Sequence, residues 1–335
     1  MKKWLLGMTP DEVEEVVTNL ALPAFTAKQI VGWIYDKRVS EIDEMTNLSK
    51  IARTLLSENY QVGGFSPLES QLSSDGTRKY LFPSLSGSTI ESVMIPDAER
   101  RTLCVSSQSG CKMSCRFCMT GRLGFRGNLK AGEIISQFLK IEESAELTSA
   151  VFMGMGEPLD NYSEVMKAID ILTAEWGFGW SPKRITLSSI GVSPGLKDYL
   201  DNSRCHLAIS LHNPFDNERL SMMPMQKAWP IEETLALIKQ YDFTGQRRVS
   251  FEYIMFAGWN DSKRHADALV RMLKGLECRV NLIRFHEIPD FELRSSPIPV
   301  IEMFRDRLNK AGVITTIRAS KGEDIMAACG MLSGK

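Results

Sequence analysis

The sequence predicts an α/β fold in which a partial TIM-type (β/α) barrel follows a small helical N-terminal domain. Two observations support this prediction. From residue 100 onward, apolar strand-like runs alternate with helical patterns, which is typical of parallel strands covered by helices. Polar and glycine-rich clusters come directly after several of these runs. These are the carboxyl ends of strands, where barrel enzymes place their chemistry.

The N-terminal domain is predicted to span residues 1–90. Thr9-Pro-Asp-Glu12 has the form of a capping box with proline at the first helical position, and the helix that it opens is expected to run to about Leu20. Thr26-Ala-Lys-Gln29 predicts a second capping box, and a third helix is expected over Leu48–Asn59. These helices could grip RNA or could simply cap the barrel.

The catalytic barrel is predicted to span residues 91–335. A hairpin turn at Ser73-Ser-Asp75-Gly76 precedes it, with strands expected at Arg78–Phe82 and Thr89–Ile95. The strands expected within the barrel are Leu103–Ser107, Ala150–Met153, Arg184–Ser188, His206–Leu211, Val249–Met255, Val280–Phe285 and Ile314–Arg318. The helices expected between them are Ala131–Ile141, Tyr162–Glu175, Ile231–Tyr241, Ser262–Leu276 and Val300–Ala311.

Three cysteines follow the first barrel strand with the spacing C-x3-C-x2-C: Cys111, Cys115 and Cys118. Thiolates are soft ligands that suit iron–sulfur clusters and zinc. A 4Fe-4S cube normally takes four cysteines, so a set of three leaves one iron open to an external ligand. This spacing is typical of radical SAM enzymes, in which S-adenosylmethionine (SAM) occupies the open iron. The alternative is a zinc site with a distant fourth ligand, but paired C-x2-C arms and a following H-x3-5-H are both missing.

Composition restricts the function classes further. The formal net charge is −1, so the charge of the whole chain does not indicate nucleic-acid binding. Residues 111–130, however, hold five basic residues and no acidic one, a stretch that could receive phosphates. The chain has seven cysteines, an odd number, and no apolar run of membrane-spanning length. We therefore expect a cytoplasmic protein without a membrane partner.

Other candidate site residues follow the predicted strands. Gly156-Glu157 offers exposed backbone and a carboxylate that could pair with the amino group of a methionine. Ser188 and Ser210 could donate hydrogen bonds to a SAM carboxylate or ribose, although buried, satisfied hydroxyls are commoner. His212 could equally be an ordinary core or rim histidine. Cys329 follows a glycine turn after the last strand and can reach the barrel mouth, whereas Cys104 lies inside the first predicted strand.

Taken together, these motifs resemble the RlmN/Cfr family of radical SAM RNA methyltransferases. The resemblance rests on Cys104-Val-Ser-Ser-Gln108 leading into the three-cysteine motif, on Phe152-Met-Gly-Met-Gly-Glu-Pro158, on Ile209-Ser-Leu-His212, and on Ala328-Cys329-Gly330 near the C-terminus. It covers nearly the whole chain and is closer to the RlmN branch than to the Cfr branch. It implies a radical SAM barrel that methylates carbon 2 of an adenine in 23S rRNA and also of an adenine next to the anticodon in tRNA.

The resemblance also implies residue roles. Cys111, Cys115 and Cys118 would bind a 4Fe-4S cluster, and two SAM molecules would be used per turnover. The residues lining the SAM site would be Gly156, Glu157, Ser188, Ser210, Leu211 and His212. Cys329 would become S-methylated, Cys104 would resolve the intermediate through a transient disulfide, and Glu91 would accept a proton. From the sequence alone, Glu91 is expected to face solvent on a strand. A reducing partner such as a flavodoxin is implied too.

One departure from the family pattern concerns the SAM site. The family usually has Asn-Pro after the sixth strand, whereas this chain has Phe285-His286-Glu287. His286 can still donate or accept a hydrogen bond, so we expect it to take the place of that asparagine.

Two other functions fit parts of the sequence. A radical SAM activase or modifying enzyme that acts on a protein would share the cluster motif and the barrel, but it would not need Cys329. A zinc module that binds RNA would need neither SAM nor iron.

Overall fold

The computed structural model describes residues 2–245 and 247–334. In its N-terminal part three helices pack together, α1 (Pro10–Asn19), α2 (Phe25–Val31) and α3 (Lys50–Asn59), beside the short parallel strands β1 (Lys3–Trp4) and β2 (Tyr60–Gln61). The capping box of α1 is present, because Glu12 N donates to Thr9 Oγ1 and Thr9 N donates to the Glu12 carboxylate.

The second predicted capping box is wrong. Helix α2 begins at Phe25, and the side chain of Thr26 is buried rather than capping. Thr26 N donates to the Pro23 carbonyl, so the chain turns into the helix at Pro23, before Thr26 is reached. The hydroxyl therefore points into the domain core and cannot accept from the first turn.

The sheet begins within the predicted N-terminal domain and continues through the barrel. Its first strands are β3 (Glu69–Leu72), β4 (Arg78–Pro83), β5 (Thr89–Asp97) and β6 (Arg100–Cys104), which pair in antiparallel fashion. The turn between β3 and β4 confirms the predicted hairpin. A single sheet thus crosses residue 90, and the domain division at that residue stays a prediction.

Seven strands of this sheet are parallel within the described residues. They start with β6 and continue, after the small hairpin of β7 (Gln108–Gly110) and β8 (Phe125–Asn128), with β9 (Ser149–Phe152), β10 (Ile185–Ser189), β11 (His206–Ser210), β12 (Val249–Met255), β13 (Cys278–Arg284) and β14 (Ile314–Arg318). The strand order is β14-β13-β12-β11-β10-β9-β6-β5-β4-β3. Because β14 does not pair with β3 or β6, the barrel is open, as predicted.

The helices of the barrel cover the outer face of the sheet. They are α4 (Met119–Arg122), α5 (Ala131–Leu139), α6 (Tyr162–Thr173), α7 (Gly195–Asn202), α8 (Asp216–Met222), α9 (Ile231–Ile238), α10 (Lys263–Met272) and α11 (Ile298–Lys310). The sequence reading missed α4, α7 and α8, which are short. In α7 the buried residues Leu196, Tyr199 and Leu200 have helical spacing. The helix begins at Gly195, directly after Pro194, and this Pro-Gly pair is typical of a turn rather than of a helix. Among the described residues, no helix combines the length and apolar character that crossing a bilayer requires.

Candidate active site

The three-cysteine loop connects β7 to β8 and is held at several backbone positions. Cys111 N donates to the Gly124 carbonyl at 3.1 Å, and Cys118 N donates to the Cys115 carbonyl at 3.1 Å. Gly110 has a φ of 73°, and a Cβ there would lie 1.8 Å from the Gly124 carbonyl oxygen. Only glycine tolerates both the conformation and the close approach, so this residue fixes the entry into the loop.

The three thiols lie close enough to influence one another. Burial raises the pKa of Cys111 to about 12 and the pKa of Cys115 well above its usual range, and the neighbouring thiols add to both increases. Burial also raises the pKa of Cys118. Three thiolates in such a place would repel one another in a poorly solvated site, so they need a cationic partner. Iron would provide this charge, because a metal deprotonates the thiols that coordinate it.

The three cysteines are the predicted ligands of an iron–sulfur cluster. Among the residues described, no three His, Cys, Asp or Glu side chains are placed to hold a single metal ion. In an iron–sulfur cube each cysteine binds a different iron atom. The assignment of Cys111, Cys115 and Cys118 as ligands of a cluster rests on their spacing and stays a prediction.

A cavity of about 540 Å³ joins the cysteine loop to the other cysteines of interest. Cys104, at the end of β6, Cys118 and Cys329 all line it, together with His286 and Arg318. Burial and, to a smaller extent, proximity to Cys329 raise the pKa of the Cys104 thiol to about 12, and Arg318 opposes the increase. The fold therefore brings three cysteines that are distant in sequence to one cavity: Cys118 of the cysteine loop and the two predicted catalytic cysteines, Cys104 and Cys329.

The C-terminal segment is anchored on the cluster side of this cavity. Met119 N donates to the Gly330 carbonyl at 2.8 Å, and Thr120 Oγ1 donates to the Leu332 carbonyl at 2.7 Å. Both donors belong to α4, the short helix that directly follows Cys118. Cys329 itself stays exposed, so its sulfur is accessible although the chain on its C-terminal side is fixed.

The structure corrects the expectation that Glu91 faces solvent. Its carboxylate is only 1% exposed. Glu91 Oε2 accepts hydrogen bonds from the backbone amides of Ser333 and Gly334 at 2.7 and 2.9 Å, and Oε1 lies 3.1 Å from Lys79 Nζ. Glu91 shares its face of β5 with Ile95 and Asp97, which line the cavity, and the C-terminal tail covers this face at Glu91. Glu91 therefore holds the tail in place, and it does not line the cavity.

The Gly156-Glu157 turn lies between the cysteine loop and the end of β10. Gly156 has a φ of 98°, and a Cβ there would lie 2.4 Å from Gln108 Cβ. The Glu157 carboxylate accepts from Leu159 N at 3.1 Å and from Ile190 N at 3.0 Å. Burial raises its pKa to about 7, and the Ile190 amide opposes the increase. An approaching ammonium group would favour the charged form, so Glu157 is suited to pair with one.

The segment after β11 is held mainly through its backbone. Leu211 N and His212 N both donate to the Glu252 carbonyl, at 3.1 and 3.2 Å. Ser188 and Ser210 are half-buried near the strand ends, which leaves their hydroxyls available for a ligand. The structure thus places Ser188, Ser210 and Leu211 at the carboxyl end of the parallel strands, as expected, while their contact with SAM stays a prediction.

The His212 side chain packs inward. Its Nδ1 accepts from Ile254 N at 3.1 Å, and its ring meets Phe117 of the cysteine loop edge-on, with centroids 5.1 Å apart. His212 also has a φ of 57°. Burial lowers its pKa to about 3, and Arg219 contributes to the decrease. His212 therefore packs against the cysteine loop through Phe117. Because its pKa is low, its imidazole is neutral near pH 7.

This burial predicts a pH dependence of stability. The unfolded chain binds a proton at His212 near pH 6.5, whereas the folded chain does not until about pH 3. Stability is therefore lost as the pH falls below 6.5, by up to about 1.4 kcal/mol per pH unit. Urea unfolding at pH 7, 6 and 5 should show this slope. The substitution His212→Asn suits the positive φ and should reduce the slope of the unfolding free energy against pH by up to about 1.4 kcal/mol per pH unit. An equal slope in both proteins would show that His212 is not the group responsible for it.

The sequence reading missed Arg219, which is 1% exposed. Its Nε donates to the Leu211 carbonyl and its Nη2 to the Ser210 carbonyl, both at 3.0 Å, and Nη1 donates to Gln226. Burial lowers its pKa to about 10, and nearby Cys115 opposes the decrease. A guanidinium is thus buried beside the cysteine loop. An arginine on a short amphipathic helix carries no sequence signal of burial, so sequence reasoning could not have found it.

His286 lies at the carboxyl end of β13, where the resemblance placed a SAM ligand. It is buried and lines the same cavity as Cys104 and Cys329. Burial lowers its pKa, and Glu323, whose carboxylate lies 3.8 Å from Nδ1, opposes the decrease. A neutral imidazole here could donate from one nitrogen and accept at the other.

Comparison with known proteins agrees with this geometry. The model of the radical SAM superfamily matches residues 105–269, and that of the ribosomal RNA large subunit methyltransferase N-terminal domain matches residues 4–62. A probable dual-specificity RNA methyltransferase RlmN of Parabacteroides distasonis is 56% identical, with 99% of this chain and 97% of the relative covered. The dual-specificity RNA methyltransferase RlmN of Syntrophus aciditrophicus is 42% identical, with coverages of 98% and 95%.

A solved structure matches over the same extent. The radical SAM methyltransferase from Sphaerobacter thermophilus superposes with a TM-score of 0.92 and is 36% identical, with 99% of this chain and 100% of that chain covered. Membership of the radical SAM superfamily implies a 4Fe-4S cluster and SAM, which the three clustered thiols suit. The chain therefore belongs to the RlmN family of radical SAM RNA methyltransferases.

Proposed function

We propose that this enzyme methylates carbon 2 of an adenine in the peptidyl-transferase centre of 23S rRNA, and the adenine next to the anticodon in certain tRNAs. The names of its relatives, which are dual-specificity RNA methyltransferases, support this substrate class. The observation that carries the proposal is the shared cavity of Cys104, Cys118 and Cys329. It allows a methyl group on Cys329 to lie near both the cluster and a second thiol.

Carbon 2 of adenine lies between two ring nitrogens and is electron-poor, so it does not attack a methyl donor as a nucleophile. When bound, the cluster and two SAM molecules per turnover supply a methyl group, one electron and the abstraction of one hydrogen. Cys111, Cys115 and Cys118 hold the cluster. We assign Gly156, Glu157, Ser188, Ser210, Leu211, His212 and His286 to the SAM site.

The residues of the chain then have distinct roles. The Cys329 thiolate takes the methyl group. After loss of one hydrogen, the S-methylene carbon bonds to carbon 2 and links the protein to RNA. Glu91 accepts the proton that leaves carbon 2, and the adduct gives up one electron, which balances the electron that the reduced cluster would supply at the start. The Cys104 thiolate then attacks the Cys329 sulfur, so that an S–S bond forms as the carbon–sulfur bond breaks. The carbon keeps the electron pair of that bond and takes up a proton, which completes the methyl group. The disulfide must afterwards be reduced, and we propose a flavodoxin-like protein as the electron donor for the cluster.

The position of Glu91 has a consequence for this scheme. Because the tail amides of Ser333 and Gly334 occupy its carboxylate, the tail must move before Glu91 can reach the substrate. Glu91→Gln keeps an acceptor for these amides but removes the base. We expect stalled RNA–protein adduct and little product, measured by denaturing electrophoresis.

A second variant separates this effect from lost stability. Glu91→Gln leaves Lys79 without its carboxylate partner in a buried place, which is costly. Adding Lys79→Met should restore the thermal midpoint without restoring turnover. Normal turnover in either variant would remove Glu91 from the role of base.

The basic stretch at 111–130 is the proposed guide for RNA phosphates. Two of its cations are paired, Lys112 with Asp160 at 2.8 Å and Lys130 with Glu164 at 3.0 Å. Arg116, Arg122 and Arg126 are exposed; Arg116 donates to the Ser221 carbonyl at 3.4 Å and Arg122 to the Pro289 carbonyl. We propose Arg122 and Arg126 as the residues that bind phosphate.

Replacing both by alanine should reduce the salt dependence of RNA binding, by about one unit of slope for each phosphate that is no longer bound. Binding of a 23S rRNA fragment is measured at salt concentrations from about 50 to about 300 mM. Arg271→Ala with Lys310→Ala, at exposed positions on α10 and α11, changes the charge equally and should leave the slope unchanged. Equal slopes in all three proteins would exclude binding of RNA by Arg122 and Arg126.

Counting SAM products tests the proposed reaction class. Methylation by this route yields one S-adenosylhomocysteine and one 5′-deoxyadenosine for each methylated adenine. An activase acting on a protein would form 5′-deoxyadenosine without S-adenosylhomocysteine, and a zinc module would form neither.

A further inference from the structure

The amino end of the barrel, opposite the cysteines, carries a cluster of cations. Arg100 opens β6, Arg248 directly precedes β12, and Arg279 is the second residue of β13. Lys183 and Arg184 precede β10. All five line the lower end of the same cavity whose upper end holds Cys104 and Cys329. We call these five residues the lower basic ring.

Strand alternation directs three of these side chains inward. Side chains two residues apart on a strand share a face of the sheet. Thr102 and Cys104 follow Arg100 at this spacing, Ser250 follows Arg248, and Asn281 and Ile283 follow Arg279; all five of these followers line the cavity. Arg100, Arg248 and Arg279 therefore lie at the rim of the cavity, on the side of the sheet that faces it, and their side chains are exposed to solvent.

The lower basic ring has little counter-charge. Among the residues that the structure describes, none of its five members is in an ion pair. Asp97 is the acidic residue in the cavity wall, and it lies opposite Arg100 in the β5–β6 pair. Arg184 also lies over the Trp180 ring, 5.6 Å from its centroid. Cations placed around a concave surface focus the electric field on an anion that binds there.

A buried histidine adds an unpartnered polar atom at this end. His206, the first residue of β11, lines the cavity and is 8% exposed. Its Nδ1 accepts from Arg248 N at 3.1 Å, while Nε2 is buried without a hydrogen-bond partner in the described part of the chain. Burial lowers its pKa to about 4, and Arg248, Lys183 and Arg279 contribute to the decrease. The ring is thus neutral, Nε2 carries the proton, and it has no acceptor.

We propose that the lower basic ring binds a small phosphate-bearing anion, of the size of pyrophosphate or the polyphosphate of a nucleotide, with His206 Nε2 as a further donor. Arginine side chains hold phosphate oxygens in bidentate fashion. A small anion fits better than an RNA backbone, because His206 is buried and its Nε2 can be reached only by a ligand that enters the cavity. The site is separate from the carboxyl ends of the strands, where the cysteines lie.

Titration calorimetry of the holoenzyme with pyrophosphate tests this proposal. Arg248→Gln and Arg279→Gln should each weaken binding at least tenfold, whereas Arg271→Gln with Lys274→Gln, at exposed positions on and just after α10, should change it less than twofold. Asp97→Asn removes the negative charge from the wall and should tighten binding, a result that a misfolded protein could not give.

Three results would overturn the proposal. Wild-type protein that takes up no pyrophosphate has no such site. Equal affinities in the ring variants and the control pair would mean that binding occurs elsewhere. A loss of affinity for a 23S rRNA fragment in Arg248→Gln, without pyrophosphate binding by the wild type, would make the ring an RNA-binding surface instead. Because methylation is measured separately, failure here leaves the proposed reaction untouched.

Discussion

We expect that replacing Cys329 by alanine abolishes methylation of RNA and leaves the iron content of the protein unchanged. Cys329 is exposed and is not one of the three cysteines of the motif. We therefore expect that its sulfur is not needed to hold the cluster. The chain after it stays anchored, because Met119 N and Thr120 Oγ1 bind the carbonyls of Gly330 and Leu332. Only the acceptor of the methyl group is removed.

Methylated adenosine in digested RNA and iron per protein are measured on the same anaerobic sample. Cys278→Ala is a suitable control, since Cys278 is a partly buried cysteine at the start of β13 that does not line the cavity. We expect normal methylation from that variant. Methylation by Cys329→Ala above the background of a protein without cluster would show that Cys329 does not carry the methyl group.

Cys104→Ser converts the enzyme into a covalent trap. If Cys104 releases the product by attacking the Cys329 sulfur, a hydroxyl in its place cannot form the S–S bond, and the RNA remains attached to the protein. Serine is close to cysteine in size, so the end of β6 should keep its structure. A shifted band in denaturing electrophoresis, removed by ribonuclease, is the expected result.

The surroundings of Cys104 add a pH dependence. Because its pKa is raised to about 12 by burial and by proximity to Cys329, the thiolate fraction increases tenfold per pH unit below that value. Release of the adduct by the wild-type enzyme should therefore accelerate with pH, whereas the Cys104→Ser adduct should persist at every pH. Free turnover of Cys104→Ser would exclude Cys104 from this step.

Much of the fold was predictable because the barrel strands are apolar runs with sharp polar borders. The predicted strands Val249–Met255 and Ile314–Arg318 match β12 and β14 residue for residue. The first strand was predicted to extend to Ser107 but ends at Cys104, because the next residues turn toward the β7–β8 hairpin. Short helices such as α8 lack the length over which a helical period becomes visible.

The site was less predictable where burial depends on distant chain segments. Glu91 is buried by groups from other chain segments: the amides of Ser333 and Gly334, more than two hundred residues later, and the side chain of Lys79. Arg219 is buried because the carbonyls after β11 accept its hydrogens. The cysteine spacing, by contrast, is a local pattern with a specific chemistry, and it indicated the correct superfamily without any knowledge of tertiary structure.

The isotopic composition of the transferred methyl group is the most direct test of the central claim, that Cys329 carries this group to adenine through a carbon radical. The reconstituted protein is supplied with SAM bearing a trideuterated methyl group and with a 23S rRNA fragment, and the digested nucleosides are analysed by mass spectrometry. We predict 2-methyladenosine whose methyl group retains two deuterium atoms, because one is removed from the S-methyl group before the carbon–carbon bond forms. A methyl group with all three deuterium atoms would show direct transfer and would contradict the proposed role of Cys329.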